Sequence, residues 1–315
     1  MGKSGAPRVL VVGDVINDIL VQTRGPLVHG DDNPAVIRTQ PGGSAANQAA
    51  WMGRLGLDVV FAGRAGAADA GLHRRELARF GVEPHIAADT RAATGSIVVL
   101  VGSDGERTMI TDRGANLRLR SADVPPALLD GAALLHLTGY SFFAPAPREV
   151  ALAMIAEAVA RGVPFTVDPG SAAFLRQLEP GAFLRWTSGA AVCFPNRDEA
   201  AALTARAPAA VAEAGPAGQP ARLPALAVAL ARHYGVVALK LGGEGALLAA
   251  ADAPPIRIPA RAATVRDTTG AGDAFCAGFL AAYLTGSGLA SAAASAADAA
   301  AGAVSILGGR PECAR

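Results

Sequence analysis

Cysteine is scarce in this chain of 315 residues, and its three copies, Cys193, Cys276 and Cys313, are far apart, with no Cys-x-x-Cys pair and no histidine pair nearby. Neither a disulfide framework nor a zinc site is signalled, and reduced buried thiols are the expectation. The five histidines, His29, His73, His85, His136 and His233, are scattered singly and suggest no metal site either. Charge of one sign is also lacking. The 28 basic and 27 acidic residues leave a net charge of +1, so there is no basic face for nucleic acid and no polybasic segment for an anionic membrane. A small neutral or anionic ligand is the expected partner. Long apolar runs are missing too: the run at 9–12 is too short for a signal peptide, and nothing approaches a membrane span, so a cytoplasmic protein is expected. Two nucleotide fingerprints are absent, the G-x-x-x-x-G-K-[ST] loop and a strand-linked G-x-G-x-x-G, and no Ser-His-Asp arrangement can be assembled. Neither a Walker-type NTPase nor a dinucleotide dehydrogenase is indicated.

What the chain does have is 51% hydrophobic content, ample for the core of one large domain or two ordinary ones. "RVLVVGDVINDIL" reads as a buried strand at 9–12 that ends by presenting Asp14 and Asp18. "GGSAANQAAWMGRLG" opens on Gly42 and Gly43 and continues as a helix, with Ala45, Ala49, Met52 and Leu55 at spacings of three and four and Gly56 as its C-cap. "GSIVVLVGSDGERTMIT" predicts two short strands around a turn at 102–105, a hairpin expected to add antiparallel strands to the main sheet. From residue 132 the rhythm is regular: strands at 134–138, 164–167, 191–194 and 236–241, with helices at 148–161 and 223–234. That alternation predicts parallel βαβ units, an α/β fold with helices on both faces of the sheet. Residues 205–224, rich in alanine, proline and glycine, read as a surface insertion rather than a domain linker.

In such sheets ligands bind beyond the carboxyl ends of the strands. The residues found there are Asp14 and Asp18, Gly42 and Gly43 with Asn47, Asp168, Asn196 with Glu199, the turn 242–245, and 267–273, an acidic, amide-bearing and glycine-rich set. The most specific stretch is "DTTGAGDAF", 267–275. Gly270 and Gly272 let a ligand approach the backbone, and the first-turn N–H groups of the helix that starts there lack intrahelical partners. With the positive end of the helix dipole behind them, Ala271, Gly272 and Asp273 can hold an anion such as a phosphoryl group in transit, and Asp273 stands where it can accept a proton. The alternative is a tight turn in which Asp273 merely stabilises the helix.

"DTTGAGDAFCAGF" resembles the second signature of the ribokinase-like, or PfkB, family of carbohydrate and nucleoside kinases, and "GGSAANQAAWMGRLG" is similar to the first. The two stand in the right order at opposite ends of the chain with "PNRDEA" at 195–200 between them, and the resemblance runs from about 8 to 311. It implies a single domain over 1–315: a three-layer αβα fold with a mostly parallel doubly wound sheet, plus a small β lid from roughly 14–45 and 94–116. It also implies ATP and magnesium as cofactors, potassium as a monovalent activator, Asp273 as catalytic base, and the 270–273 turn as anion hole. Asn196 and Glu199 would act near magnesium and the ATP phosphates through water. Lys240, Gly242, Gly243 and Gly245 of "KLGGEG" would form the nucleotide-binding turn. Asp267, with Thr269, would help hold the monovalent cation together with carbonyls near 303–308.

On the acceptor side the resemblance places sugar hydroxyls against Asp14, Asp18, Gly42, Gly43 and Asn47, residues whose oxygens and amides suit a polyol. This chain has Gly-Gly-Ser-Ala-Ala-Asn where ribokinases proper usually read Gly-Gly-Lys-Gly-Ala-Asn, which puts ribose itself in question. Arg107 and Arg113, at or past the second strand of the hairpin, are candidates to meet a carboxylate or phosphate, and Tyr140 or Phe142 to stack on a sugar or base. The implied activity is phosphorylation of a sugar hydroxyl. A 2-keto-3-deoxygluconate kinase, a nucleoside kinase, and a catalytically silent ligand-binding protein are the alternatives. In this family a lid edge often pairs with another subunit, so a homodimer through the lid is one option here and a covered edge the other.

Overall fold

Four consecutive apolar residues, Val9 to Val12, make strand β1 (Arg8–Val12) equally at home on both faces of a sheet, and none of the four touches solvent. Val9 and Val11 enter one hydrophobic core and Leu10 and Val12 the other, each contributing about 1.5–3 kcal/mol by leaving water. The computed structural model describes residues 5–23, 25–101, 107–205 and 223–312. Around β1 a nine-stranded sheet is built from β4 (Asp58–Gly66), β5 (Val82–Asp89), β8 (Leu134–Thr138), β9 (Phe165–Asp168), β10 (Val192–Cys193), β11 (Val236–Lys240), β12 (Ala246–Ala250) and β13 (Ala253–Ile258). Its spatial order is β13-β12-β11-β10-β9-β8-β1-β4-β5, parallel from β5 through β11 and antiparallel at β12 and β13.

Helices cover both faces. On one side lie α1 (Ser44–Arg54), α2 (Ala70–Ala78), α8 (Ala271–Leu284) and α9 (Leu289–Val304). On the other lie α3 (Pro145–Ala160), the short α4 (Ala172–Leu175) and α5 (Ala182–Thr187), α6 (Arg197–Ala205) and α7 (Leu223–Ala231). The chain is thus the α/β, three-layer, doubly wound fold expected. Since β1 leads outward to β4 and β5 while β8 leads the other way to β9, β10 and β11, the order reverses between β1 and β8. That reversal opens a crevice at their carboxyl ends.

The strands β2 (Ile16–Thr23), β3 (Ala35–Gly42), β6 (Thr94–Val101) and β7 (Arg107–Gly114) form a separate four-stranded sheet in the order β3-β2-β6-β7. The strand pattern alone puts the hairpin on the main sheet; it belongs instead to this separate small sheet, the one the family resemblance draws from roughly 14–45 and 94–116. β6 pairs in parallel with β2 over seven residues, which takes it away from the edge of the large sheet, while β12 and β13 supply the antiparallel strands there. The predicted turn at 102–105 and most of the insertion, 206–222, lie outside the described residues. Helix α1 forms where predicted, with Gly56 at positive φ just past its end, but Leu55 is exposed because the helix closes at Arg54 and turns it outward.

Candidate active site

Three carboxylates and one lysine meet where the carboxyl ends of β1, β9 and β11 approach the start of α8. Asp14, just past β1, accepts from the backbone N–H groups of Ser44 at 2.9 Å and Ala45 at 3.1 Å, and from Thr138 Oγ1 at 3.2 Å. It therefore satisfies the first-turn amides of α1, which Gly43 at its N-cap has no side chain to serve. Gly43 sits at φ +99°, and a Cβ there would lie 2.6 Å from the Asp14 carbonyl, so only glycine brings the helix this close. Asp18, on β2, is placed against Gly42 and is buried. Its pKa is pushed up to about 7 by desolvation, countered by Arg310 and reinforced by Asp14 and Asp267.

Asp273 is the third residue of α8, whose N-cap is Gly270 in the left-handed region at φ 75°. A Cβ at 270 would lie 2.5 Å from Gly309, so the turn closes only with glycine. The Asp273 carboxylate is gripped by three side chains of α1: Ser44 Oγ donates to Oδ1 at 2.7 Å, Gln48 Nε2 to Oδ1 at 3.0 Å, and Asn47 Nδ2 to Oδ2 at 3.3 Å. Desolvation raises its pKa to about 7, with Asp168 adding to the rise while the Gln48, Ser44 and Asn47 donors oppose it. Asp168 Oδ1 pairs with Lys240 Nζ at 3.0 Å, and its Oδ2 accepts from Gln48 Nε2 at 2.9 Å. Burial would drive a proton off Lys240, but the field of Asp168, with Cys276 and Glu199, outweighs it and holds the ammonium charged.

Beyond Lys240 a cleft of about 370 Å³ opens, lined by Gly242, Gly243 and Gly245, by Thr268, Ala271 and Gly272 at the start of α8, and by small apolar residues of α9. One end is therefore glycine backbone and an ammonium, suited to phosphates, and the other is alanine and valine, suited to a flat base. The Ala271 N–H makes only a long bond, 3.4 Å, to Thr268 O, and the first intrahelical bond of α8 is Ala274 N to Gly270 O. Ala271 and Gly272 of this first turn line the cleft.

Asn196 and Glu199 are brought together, but they bind each other: Glu199 accepts from Asn196 N at 2.9 Å and Nδ2 at 2.8 Å, and Glu199 N donates to Asn196 Oδ1 at 2.9 Å. This is the reciprocal capping of an α-helix start, here α6. Glu199 is buried rather than solvent-facing, and desolvation pushes its pKa to about 7, offset by Lys240. Asp267 ties two loops, accepting from Thr269 N at 2.8 Å and Gly308 N at 2.9 Å. The carbonyl of Val304, within the predicted cation shell, is engaged by the N–H groups of Arg266 and Asp267. Among the described residues no three His, Cys, Asp or Glu side chains converge to hold a metal.

Arg113 of β7 is buried. It donates to the Tyr140 carbonyl and lies 5.9 Å over the Tyr140 ring, but its Nη1 has no partner. Phe142 is fully buried against Phe183 and Trp186, so it is core, whereas Tyr140 stays at the edge of the site. The side chain of Arg107 lies outside the described residues.

Four positions of the candidate site had no role assigned from the sequence. Ser44 and Gln48 share a helix face with Asn47, and their i, i+3, i+4 spacing is a signal that could have linked them to one target. Asp168 stood among the strand-end residues without an assigned role. Arg310, which donates to Asn47 Oδ1 at 3.2 Å and Gly42 O at 3.1 Å, carried no signal at all.

The family profile of the pfkB family carbohydrate kinases matches residues 6–313. The chain belongs to the pfkB family of carbohydrate kinases. This kinase is 30% identical over 287 residues to ribokinase of Mus musculus, covering 89% of this chain and 82% of the relative. It is 31% identical over 300 residues to the bifunctional protein HldE of Caulobacter vibrioides, where 90% of this chain spans 56% of the longer relative. Its fold is similar to that of Arabidopsis thaliana ribokinase complexed with ribose and ATP, with a TM-score of 0.74 and 26% identity over 98% of this chain and 96% of that one. It is accordingly a phosphotransferase that acts on an alcohol group, with ATP as the nucleotide the family binds.

Proposed function

We propose that this kinase transfers the terminal phosphoryl group of ATP to a hydroxyl of a sugar in the crevice between β1 and β8. Asp273 acts as the base, and the amides of Gly270, Ala271, Gly272 and Asp273 serve as the anion hole. The observation that carries this reading is the place of Asp273: it heads α8 beside the Lys240-lined cleft, and three donors of α1 hold its carboxylate on the side where the acceptor elements converge. Asp18, Gly42, Gly43 and Asn47 bind the acceptor. Asp14 contributes by fixing the start of α1 rather than by a free carboxylate.

Lys240, Gly242, Gly243 and Gly245 cradle the nucleotide. Glu199 with Asn196 would stand on the side of a magnesium ion, which prefers oxygen ligands and would supply charge neutralisation of the phosphates. Asp267 and Thr269 hold the loop at which a potassium ion would sit. The four-stranded sheet closes over the acceptor as a lid and excludes water. Within the site, Asp273 takes the proton of the attacking hydroxyl, while the helix dipole and first-turn amides stabilise the charge on the moving phosphoryl group. We place the enzyme in the cytoplasm as one domain.

Arg113 favours a second reading of the acceptor. Its buried guanidinium forms no ion pair among the described residues and keeps one nitrogen unsatisfied, which suits an acceptor bearing a carboxylate or phosphate. ADP release with ribose, fructose, 2-keto-3-deoxygluconate, sugar phosphates and adenosine tests both readings, with Asp273→Asn as control. Turnover with neutral sugars supports the first, and turnover confined to anionic acceptors and lost in Arg113→Met supports the second. Wild-type rates in Asp273→Asn would refute the base. No turnover with any acceptor would favour a silent binding protein.

A further inference from the structure

Gln48 is fully buried, and its amide nitrogen stands between the two carboxylates at the centre of the site. Nε2 lies 3.0 Å from Asp273 Oδ1, 2.9 Å from Asp168 Oδ2 and 3.1 Å from Ser44 Oγ. An amide nitrogen carries two hydrogens. Because the Ser44 hydroxyl itself donates to Asp273, those two hydrogens go to the two acids. The other end of the amide is also engaged: Gln48 Oε1 accepts from Nε2 of His136, whose Nδ1 lies 2.7 Å from Thr166 Oγ1. His136 has no solvent exposure, and burial lowers its pKa to about 4, so at neutral pH it carries one proton. Only the Nε2–H tautomer serves both neighbours, with the Thr166 hydroxyl donating to Nδ1. A flipped Gln48 would aim its oxygen at two carboxylates and its NH2 at an N–H.

We propose that Gln48 is the positioning residue of the base: oriented by His136 and Thr166, it holds Asp273 in its working direction and joins it to the Asp168–Lys240 pair on the nucleotide side. The inference rests on the reading of Asp273 as base. No lysine or arginine pairs with Asp273 among the described residues, so neutral donors alone hold its charge, and Gln48 is the only one of them that also bonds Asp168. The charged and titratable groups around Asp273 are Asp168 from β9, Lys240 from β11 behind it, Tyr140 after β8, and Cys276 one turn along α8. Arg310 acts from further off through Asn47. Of these, Asp168 opposes ionisation of Asp273 most directly, and Gln48 lies between the two acids.

The test uses the full-length protein carrying 13C at its aspartate carboxyls, titrated by NMR, with the Asp273 signal identified by its loss in Asp273→Asn. Gln48→Met keeps the length of the side chain and removes both donors. It should move the Asp273 titration upward by about 1–2 pH units. His136→Phe and Thr166→Val, which free the amide to flip, should move it the same way by less. ADP release should show the acid limb of kcat shifted by the same amounts, with the KM for ATP unchanged and the rate recovering at high pH. A loss of rate equal at every pH, or an Asp273 titration unmoved in the folded variants, overturns the proposal. If Gln48→Met fails to fold, the two outer variants decide. A fully active Asp273→Asn would instead defeat the underlying reading of the base, whatever the titrations show.

Discussion

At Asp273 the same surroundings that place the carboxylate also set its proton affinity. A base must be ionised to work, and desolvation raises the Asp273 carboxyl to about 7, so the proposed role carries a pH dependence. The kcat of the wild type should therefore fall on the acid side with a midpoint near pH 7, checked by ADP release between pH 5.5 and 9. Asp273→Asn should cost about 100-fold or more in kcat. At Asp18 burial carries a stability cost. Its folded pKa of about 7 lies above the usual carboxylate value, so the folded state keeps a proton that the unfolded chain gives up, and this group weakens folding as pH rises from about 4 to 7. Asp18→Asn should raise the melting temperature at pH 8 by about 2–4 °C for each kcal/mol relieved, a gain that vanishes near pH 4. The same change should raise the acceptor KM by about 10–100-fold through lost charge-assisted hydrogen bonds. Both motifs were plain as sequence, because glycine pairs and an acid at a helix start have few other uses together. Arg310 was silent, since nothing local distinguishes an arginine that meets Asn47 only when a segment 263 residues away folds against α1.

Among the elements, α8 depends on its neighbour. Gly278 packs so closely on α9 that a Cβ would lie 2.7 Å from that of Ala299 and 2.9 Å from Ser295 O. The alanine-rich α9 is what lets the two helix backbones come together, and α8 carries Asp273 at its other end. Gly278→Leu should destabilise the fold by about 1–3 kcal/mol and lower kcat by displacing the helix, measured by thermal melting and by turnover at a temperature where the variant is folded. Periodicity located α1, α3, α7 and the strands β1, β8, β9 and β11 within a few residues. It misplaced the β6–β7 hairpin, because an alternating pair of strands carries no mark of which sheet will receive it.

For the whole molecule, the two sheets make different demands. The central strands of the large one are buried on both faces, while the small one exposes Val36 and Ile37 on β3 and Met109 and Ile110 on β7, its two edge strands. If a second copy covers this surface, Ile37→Lys with Ile110→Lys should halve the mass seen by light scattering, and a wild-type protein that is already a monomer would exclude that assembly. The sequence by itself determined the α/β class, the family through its two signatures, and a set of candidate site residues, because those depend on local patterns: apolar period, glycine at tight turns, acids at strand ends. Only the tertiary structure decided that Asp14 braces α1, that Glu199 and Asn196 cap each other, and that Gln48 sits between Asp273 and Asp168. The first and last join segments 30 to 225 residues apart, set by how β1, β9 and α8 converge at the reversal of the sheet, whereas the Asn196–Glu199 cap is local and only its burial depends on the fold.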